Sequence, residues 1–196
     1  MVNVVIDGGW AGYITIGDRV RPGSAGAVAA LRGQRVERIA LLSGDGTEAV
    51  TAAGQRIGIG ELHANLLPDQ KVEILERILA DRHGAGATAF VGDGINDAPV
   101  LARADVGIAM GGAGADAAVE TADVVLMGDD PGLVPEAIAR ARRTRTIVVE
   151  NIIFAVGVKA AFLGLGALGV ATMWEAVIAD MGVALVAIVN ATRAMR

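Results

Sequence analysis

A run of glycines, acids and one amide in the middle of the sequence has the residue types that bind a hard cation. Residues 92–99 are Gly-Asp-Gly-Ile-Asn-Asp-Ala-Pro and follow an apolar run at residues 88–91. The glycines allow a tight turn, and Mg²⁺ is commonly held by one or two carboxylates beside phosphate oxygens. We therefore predict that Asp93, Asn96 and Asp97 form a Mg²⁺ site in this loop. A turn followed by a helix cap explains Gly-Asp-Gly alone, but the complete string after a strand favours the cation site.

Two other motifs have the chemistry to contact phosphate. Ser43-Gly44-Asp45 follows an apolar run, and a helix predicted to begin near Thr47 would direct its positive end at an anion there. Lys71 lies near the start of a further predicted helix. The simpler explanation of Ser43 and Asp45 is that they cap a helix, and the simpler explanation of Lys71 is that it is a solvated surface residue. A phosphate role for these three residues therefore depends on their lying beside the loop at residues 92–99.

Opposite charges occur singly in two apolar segments near the end of the sequence. Lys159 is the only charged residue within residues 152–173, and Asp180 is the only one within residues 176–189. In lipid each would cost roughly 2.5–3.5 kcal/mol, but antiparallel helices would bring both to a depth of about 10–15 Å. The pair is either a structural ion pair or an ion-pathway carboxylate with its counter-charge. Gly182 would let another helix or the ion approach Asp180 closely.

Short apolar runs alternate with helical patterns through the first two thirds of the sequence. This order predicts an α/β fold with an open, Rossmann-like parallel sheet covered by helices. The carboxyl ends of such strands carry the chemistry, and Asp45 and Asp93 are both expected there. The predicted strands cover residues 2–6, 12–16, 39–42, 88–91, 106–110 and 124–127, and the predicted helices begin near residues 22, 47 and 68.

The last third of the sequence predicts a helix that continues into a membrane hairpin. Residues 133–150 have a helical pattern, and residues 152–173 are long enough to cross about 30 Å of hydrocarbon. Residues 174–189 are short for a span and are predicted to be the return half of the hairpin, with Trp174 at the interface. Basic residues flank both segments, so the positive-inside rule places both ends in the cytoplasm. These flanking residues are Arg140, Arg142, Arg143, Arg145, Arg193 and Arg196.

The composition excludes several classes of site and partner. The 196 residues have a formal net charge of -5, which gives no general attraction to nucleic acid. They contain no cysteine, so a disulfide framework and a thiolate metal site within the chain are excluded. The first residues lack the basic and apolar regions of a signal peptide. His63 and His83 each stand alone in polar surroundings, and we predict that both are surface residues.

These motifs together resemble those of the P-type ATPases, which belong to the haloacid-dehalogenase-like group. Residues 92–99, followed by Ala-Asp-Val-Gly-Ile-Ala-Met-Gly at residues 104–111, are similar to the hinge region of these pumps. Ser43-Gly44-Asp45 resembles their Thr-Gly-Asp motif, and Pro68-Asp69-Gln70-Lys71 resembles their Pro-x-x-Lys motif. Residues 18–22 are similar to the segment that re-enters the phosphorylation domain. The resemblance covers nearly the whole chain and implies a partial haloacid-dehalogenase-like fold.

The membrane segments resemble the Zn²⁺/Cd²⁺/Pb²⁺ branch of the heavy-metal pumps. The resemblance depends on Lys159, Asp180-Met181-Gly182 and Asn190. The Tyr-Asn and Met-x-x-Ser-Ser motifs of the copper branch are absent from the sequence. The resemblance implies that Asp180 binds the transported metal and that Lys159 is its counter-charge. It also implies that the protein lies in a membrane, with lipid around the two helices.

The resemblance further implies roles in the soluble part and a division of the chain. Asp93 and Asp97 would position Mg²⁺, Ser43 and Lys71 would contact the aspartyl phosphate, and ATP would drive the complete pump. Residues 1–17 would end the nucleotide-binding domain or form re-entry strands, and residues 18–131 would be the C-terminal part of the phosphorylation domain. Residues 132–151 would be an amphipathic linker helix. Residues 152–196 would hold two transmembrane helices, at about 152–173 and 174–190, and a short basic tail.

The sequence also departs from that of the complete pumps. It contains neither Asp-Lys-Thr-Gly-Thr, which carries the phosphorylated aspartate, nor Cys-Pro-Cys. We therefore expect that the chain does not pump alone and that the missing N-terminal part, covalent or separate, is its partner. Two alternatives stay open: a membrane-anchored Mg²⁺-dependent phosphatase with Asp7 as nucleophile, and a non-catalytic metal-binding scaffold in the membrane. Asp7 lacks the sequence pattern that normally follows such a nucleophile.

Overall fold

The chain divides into two compact units, Met1–Val134 and Pro135–Arg196, and each is described by itself. The computed structural model describes five stretches of the chain, residues 2–14, 19–82, 86–92, 95–111 and 120–195. The predictions made for Asp93, His83, Arg196 and residues 15–18 concern positions outside these described ranges.

An antiparallel hairpin opens the first unit. Strands β1 (Val2–Ile6) and β2 (Gly9–Ile14) are joined by Asp7-Gly8, whose φ angles of 50° and 78° are both positive. Positive φ angles at both central residues are those of the type I′ turn that an Asp-Gly pair favours. The predicted hairpin is therefore confirmed, but β2 begins earlier than the predicted strand at residues 12–16 because Gly9 already pairs with Ile6.

Two short parallel strands follow, each preceded by a helix. Helix α1 (Ser24–Gly33) precedes β3 (Ala40–Leu42), and α2 (Thr47–Ile57) leads to β4 (Glu61–His63). The two strands pair in parallel, with Ala40 opposite Glu61. Strand β4 is absent from the sequence prediction, because three residues are too few to show a β pattern.

His63 is not the isolated surface residue that its sequence context predicts. Its side chain is 30% exposed, and its Nε2 lies 3.3 Å from Glu61 Oε1, since alternate residues of β4 share one face. Glu61 also accepts two hydrogen bonds from Arg38, at 2.8 Å from Nε and 2.7 Å from Nη2. The bond from Arg38 is the main reason that the pKa of Glu61 falls to about 2, although burial opposes this shift.

A second parallel sheet holds the core of the first unit. Its strands are ordered β5–β6–β7, and Leu101 and Ala109 pack at its centre with 1% and 2% of their surface exposed. Both sheets are parallel, which confirms the predicted α/β class. The elements of this part are α3 (Pro68–Ala80), β5 (Ala89–Gly92), a 3₁₀ turn (Ile95–Asp97), α4 (Ala98–Arg103), β6 (Val106–Met110) and β7 (Val124–Leu126).

Two residues of the motif at residues 104–111 have structural roles. A Cβ on Gly107 would lie 2.6 Å from the backbone oxygen of Leu101, so glycine is needed for α4 to pack this closely on β6. The Asp105 carboxylate accepts a 2.8 Å hydrogen bond from the Thr88 backbone N–H and pairs with Arg82. Both contacts lower the pKa of Asp105, and the hydrogen bond from Thr88 has the larger effect. Asp105 thus ties together the starts of β5 and β6, at the opposite end of the strands from Gly92.

The second unit contains two long helices joined by a short turn. Helices α5 (Leu133–Ala167) and α6 (Met173–Ala191) are both long and apolar enough to cross a membrane. Helix α5 ends before the predicted limit of the first span at residue 173, because Gly169 has a left-handed φ of 74° that stops a helix. Helix α6 then begins at a capping box, in which the Thr172 N–H donates to Glu175 at 2.7 Å. These stop and start signals override the apolar composition of residues 168–172.

Acid is expected to remove the stabilisation that Glu61 contributes. Its folded pKa of about 2 lies below the ordinary value of 4.5, so the contribution is complete above about pH 4.5 and is lost as the pH falls towards 2. We expect Glu61→Gln to lower the free energy of unfolding by about 1–2 kcal/mol at pH 7, and by less than half of that at pH 3. Urea unfolding in detergent at both pH values measures the difference.

The control for this experiment is Glu73→Gln, which removes only a 3.7 Å surface pair with Arg77. It should change the free energy of unfolding by less than about 0.5 kcal/mol at either pH. An equal loss for Glu61→Gln at pH 7 and pH 3 would contradict the role given to the Arg38–Glu61 pair.

Candidate functional site

The loop after β3 presents a hydroxyl and a carboxylate that hydrogen-bond to each other. Ser43 Oγ donates to Asp45 Oδ2 at 3.0 Å, and the Asp45 backbone N–H donates to Ser43 Oγ at 3.2 Å. The N-cap of α2 is Gly46, without a side-chain cap, and Thr47 is the first helical residue, where the helix is predicted to begin. The capping explanation of Ser43 and Asp45 is therefore wrong. No side chain caps the start of α2, and backbone N–H groups at a helix start can donate to an anion.

Residues that follow β4 hold this loop in place. The Asn65 backbone N–H donates to the Asp45 carbonyl at 2.8 Å, and the Leu66 N–H donates to the Ser43 carbonyl at 3.1 Å. The Asn65 side chain also donates to the Thr47 hydroxyl at 3.0 Å. Asn65 has a φ of 57°, in the left-handed region that asparagine tolerates better than most residues. Sequence reasoning missed Asn65, and an asparagine just before the helix start at Pro68 was the available signal.

Lys71 and Asp97 form a close ion pair, although 26 residues separate them in the sequence. Lys71 Nζ lies 2.7 Å from Asp97 Oδ1, and the two side chains are only 16% and 14% exposed. Lys71 belongs to the first turn of α3, which follows the N-cap Leu67, and Asp97 ends the 3₁₀ turn after β5. The structure therefore brings together one residue predicted to contact phosphate and one predicted to bind Mg²⁺.

The end of β5 passes close to the Asp97 carboxylate. A Cβ on Gly92 would lie 2.9 Å from Asp97 Oδ2, which is shorter than real Cβ contacts. Glycine at position 92 is therefore what allows the strand end and the carboxylate to be neighbours. Asn96 is exposed beside Asp97, whereas Asp93 lies outside the described residues.

The oxygen donors at this strand end fit Mg²⁺ in chemical type. Carboxylate and amide oxygens are hard ligands, and Asp97 and Asn96 supply one of each. Within the described ranges, no three His, Asp or Glu side chains are grouped to hold a metal ion. Asp97 and Asn96 would thus provide part of a Mg²⁺ shell that water and phosphate oxygens complete. Because Lys71 already occupies Asp97 Oδ1, a cation bound there would compete with Lys71.

A short segment connects the Ser43–Asp45 loop to the Lys71–Asp97 pair. Leu66 bonds to Ser43, and the Lys71 N–H donates to the carbonyl of the next residue, Leu67, at 3.1 Å. No hydrogen bond or ion pair between described residues joins the two groups directly. Asp7, the alternative nucleophile, lies in the turn of the antiparallel hairpin rather than after a parallel strand.

The second unit contains the predicted pair of opposite charges. Lys159 Nζ lies 3.5 Å from Asp180 Oδ1, which is longer than a usual N–H···O hydrogen bond. Both side chains are 69% exposed, so the pair lies on the surface of this unit rather than in its interior. A Cβ on Gly182 would meet no atom within 4 Å, so no described residue fills the space beside it. The carboxylate is therefore accessible to an ion or to a further helix.

Comparison with protein families assigns a family to the first unit. A family model described as haloacid dehalogenase-like hydrolase matches residues 3–105, more than half of the chain. The chain belongs to the haloacid dehalogenase-like hydrolase family. The matched residues include Ser43, Lys71 and Asp97, and they end before the two long helices.

This chain is similar over nearly its whole length to proteins named as metal-transporting ATPases. The zinc-transporting ATPase of Synechocystis sp. (strain ATCC 27184 / PCC 6803 / Kazusa) is 54% identical over 193 residues, which are 98% of this chain and 27% of that protein. The cadmium, zinc and cobalt-transporting ATPase of Bacillus subtilis (strain 168) is 53% identical over 196 residues, 100% of this chain and 28% of that protein. This haloacid dehalogenase-like chain thus spans a little more than a quarter of the length of these relatives.

A solved structure matches both units of this haloacid dehalogenase-like chain. The crystal structure of a zinc-transporting PIB-type ATPase in the E2.Pi state has a TM-score of 0.86 and 36% sequence identity with it. The match covers 99% of this chain and 31% of that protein. The resemblance to heavy-metal pumps that the motifs predict is therefore confirmed.

Lys71 and Asp97 are expected to couple strongly in a double-mutant cycle. Both side chains are less than a fifth exposed, so removing one partner leaves a poorly hydrated charge. Lys71→Met and Asp97→Asn should therefore each lower the free energy of unfolding by about 1–3 kcal/mol. The free energy of unfolding that the double variant loses should be smaller than the sum of the two single losses, by about 1 kcal/mol or more. Urea unfolding of the three variants in detergent measures the coupling.

The exposed Glu73–Arg77 pair on the same helix provides the matched control cycle. Its coupling is expected to lie below about 0.5 kcal/mol, because water screens both charges. Equal coupling in the two cycles would show that Lys71 and Asp97 interact no more than surface charges do.

Proposed function

We propose that this chain is the C-terminal part of an ATP-driven exporter of heavy-metal cations (Zn²⁺, Cd²⁺ or Pb²⁺). The observation that carries the proposal is the Lys159–Asp180 pair, 3.5 Å apart on two helices of membrane length. The other unit of the chain matches the haloacid dehalogenase-like hydrolase family and carries the Lys71–Asp97 pair. Similar proteins are named as zinc and cadmium transporters, and lead is included from the motif resemblance alone.

In the soluble unit, the described residues fit the handling of a phosphoryl group. The Ser43 hydroxyl can donate to a phosphoryl oxygen in place of Asp45, while Lys71 contributes a positive charge whose position Asp97 sets. Asp97 and Asn96, with Asp93, would hold Mg²⁺. When bound, Mg²⁺ neutralises charge on phosphoryl oxygens. The Ser43–Asp45 bond and the partly buried Lys71 support a phosphate-contacting role for Ser43 and Lys71, with Asp45 as the carboxylate that orients the Ser43 hydroxyl.

The phosphoryl acceptor in this proposal comes from outside the 196 residues. The sequence contains no Asp-Lys-Thr-Gly-Thr, and covalent transfer needs a nucleophile at the site. A further part of the pump, in the same polypeptide or in a separate chain, would supply this aspartate together with the ATP-binding site. The chain alone is then expected to bind Mg²⁺ and phosphate without hydrolysing phosphate esters.

In the membrane, Lys159 competes with the transported metal for Asp180. A cation that binds the Asp180 carboxylate must displace the Lys159 ammonium from 3.5 Å. When the cation leaves, Lys159 can again neutralise a carboxylate that is costly to leave unpaired in lipid. Lysine at this position therefore weakens metal binding and favours release. We assign both ends of the hairpin to the cytoplasm because arginines flank it.

Zinc binding is expected to depend on Asp180. Isothermal titration of the chain in detergent should show that Asp180→Asn weakens Zn²⁺ binding about tenfold or more, because a carboxylate ligand is lost. Lys159→Gln should strengthen it about threefold or more, because the competing cation is removed. Glu175→Gln, which alters the capping box at the start of α6, should leave the affinity unchanged.

Two results would overturn the proposed function. Unchanged Zn²⁺ affinity in Asp180→Asn would leave Lys159 and Asp180 as a structural ion pair only. Mg²⁺-dependent hydrolysis of a model phosphate ester by the purified chain, abolished by Asp7→Ala, would instead establish the membrane-anchored phosphatase. A chain that binds Zn²⁺ through Asp180 and has no such hydrolysis agrees with the pump.

A further inference from the structure

Partly buried residues form a row on each of the two long helices of the second unit, and we call the two rows together the seam. On each helix these residues recur every three or four positions, which is the spacing of one helix face. Both rows end in an asparagine, at the end of the hairpin away from the Gly169 turn. The seam residues are Asn151, Ala155, Val158 and Phe162 on α5, and Ala176, Ala179, Val183, Ala187 and Asn190 on α6.

The two asparagines form a hydrogen-bonded clasp across the seam. Asn190 Nδ2 donates to Asn151 Oδ1 at 2.9 Å, and Asn151 Nδ2 donates to the Ala187 backbone oxygen at 3.2 Å. Arg193 extends the clasp outwards, because its Nη1 donates to Asn190 Oδ1 at 2.8 Å and to Glu150 Oε2 at 3.3 Å. Helix α5 therefore contributes an amide and the Glu150 carboxylate to this end of the hairpin, while α6 contributes an amide and the 3₁₀ turn Thr192–Met195 after it contributes Arg193.

Apolar contacts alone leave the register of two helices poorly determined. Such contacts are non-directional, and in a membrane the lipid tails are as apolar as the seam itself. An amide pair is directional, and a single asparagine at a seam position of a coiled coil is known to fix the register of its helices. A slip of one helical turn would move α6 by about 5.4 Å and would break both amide bonds.

The clasp also determines where Lys159 and Asp180 lie relative to each other. Lys159 follows Asn151 by eight residues and Asp180 precedes Asn190 by ten, so both charges lie about 12–15 Å from the clasp. At about 100° per residue, Lys159 is rotated about 80° from Asn151, and Asp180 about 80° in the opposite sense from Asn190. On helices that face each other, opposite rotations direct both side chains to the same flank. This geometry explains how the pair forms although each member is 69% exposed.

We propose that Asn151 and Asn190 are positioning residues that hold Lys159 beside Asp180 by fixing the register of α5 and α6. The functional part of this proposal rests on the proposed role of Asp180 as a metal ligand. With the clasp intact, the Lys159 ammonium stays within reach of the carboxylate and competes with the metal. Without the clasp, the helices can shift along the seam, and Lys159 loses Asp180 as its partner.

Spin-label distances test the clasp independently of metal binding. The chain has no cysteine, so Leu163→Cys and Ile178→Cys add one label pair at side chains that are 71% and 68% exposed. In phosphatidylcholine nanodiscs the labelled chain is expected to give one narrow distance distribution. Asn151→Leu with Asn190→Leu should broaden it or shift it by up to about one helical turn, roughly 5 Å, while circular dichroism shows unchanged helicity.

The matched control is Thr192→Val, which removes a hydroxyl at the same end of the hairpin. Thr192 Oγ1 donates at 2.7 Å to the Val189 carbonyl of its own helix, so its loss should leave the narrow distribution intact. A distribution that stays narrow and unshifted in the double leucine variant would overturn the proposal.

A second cycle reads out the functional consequence by isothermal titration with Zn²⁺. Lys159→Gln should raise the affinity about threefold or more in the chain with its clasp, and should have no effect in the double leucine variant. Equal effects of Lys159→Gln in both backgrounds would contradict the positioning role. If Asp180→Asn does not alter Zn²⁺ binding, the proposed metal site fails, and the spin-label distances alone then decide whether the clasp fixes the register.

Discussion

A lysine ammonium held against an aspartate carboxylate is the interaction on which both candidate sites depend. The sequence has two lysines, and every other residue among its 17 lysines and arginines is an arginine. Lys71 pairs with Asp97 and Lys159 pairs with Asp180, whereas arginine makes the two-bonded contact to Glu61. An ammonium is a compact point charge, while a guanidinium grips a carboxylate through two parallel bonds. A single ammonium contact is easier for a metal cation to replace, so lysine fits the proposed exchange of each carboxylate between an ammonium and a metal cation.

The two pairs achieve their positions by different physical means. Close packing positions Asp97, because β5 ends in a glycine that the carboxylate nearly touches, and the first turn of α3 brings Lys71 to it. The Lys159–Asp180 pair has no such packing, since both side chains lie largely exposed on the flank of a seam that consists mainly of alanine and valine. Its geometry depends on the axial register of two helices, which small apolar side chains define weakly. The asparagines at the open end of the seam supply the directional contact that the rest of the seam lacks.

The sequence predicts the parts of this fold that have strong local signals. Asp-Gly between apolar runs predicts the β1–β2 hairpin, the 3.6-residue period predicts α3, and the isolated Lys159 and Asp180 in apolar segments predict their pairing. Contacts between distant segments have no such local signal. Tertiary packing determines the three-residue strand β4, the left-handed Asn65 that holds the Ser43 loop, and the partners of His63. The apolar composition of residues 168–172 predicts a later end for α5 than the structure has, because Gly169 and the capping box after it stop the helix. The asparagines of the clasp stand as polar interruptions at the ends of apolar segments, and their pairing becomes evident only once the hairpin is formed.

Exchange of each lysine for a metal cation is the central claim, and nuclear magnetic resonance tests it most directly. A chain labelled with ¹³C at the lysine Cε gives two side-chain signals, because the sequence has two lysines, and Lys71→Arg and Lys159→Arg assign them. In nanodiscs, Zn²⁺ is expected to shift the Lys159 signal and to leave that of Lys71 in place, while Mg²⁺ is expected to do the reverse. A Lys159 signal that does not move at saturating Zn²⁺, or two signals that move alike with either ion, would contradict the claim.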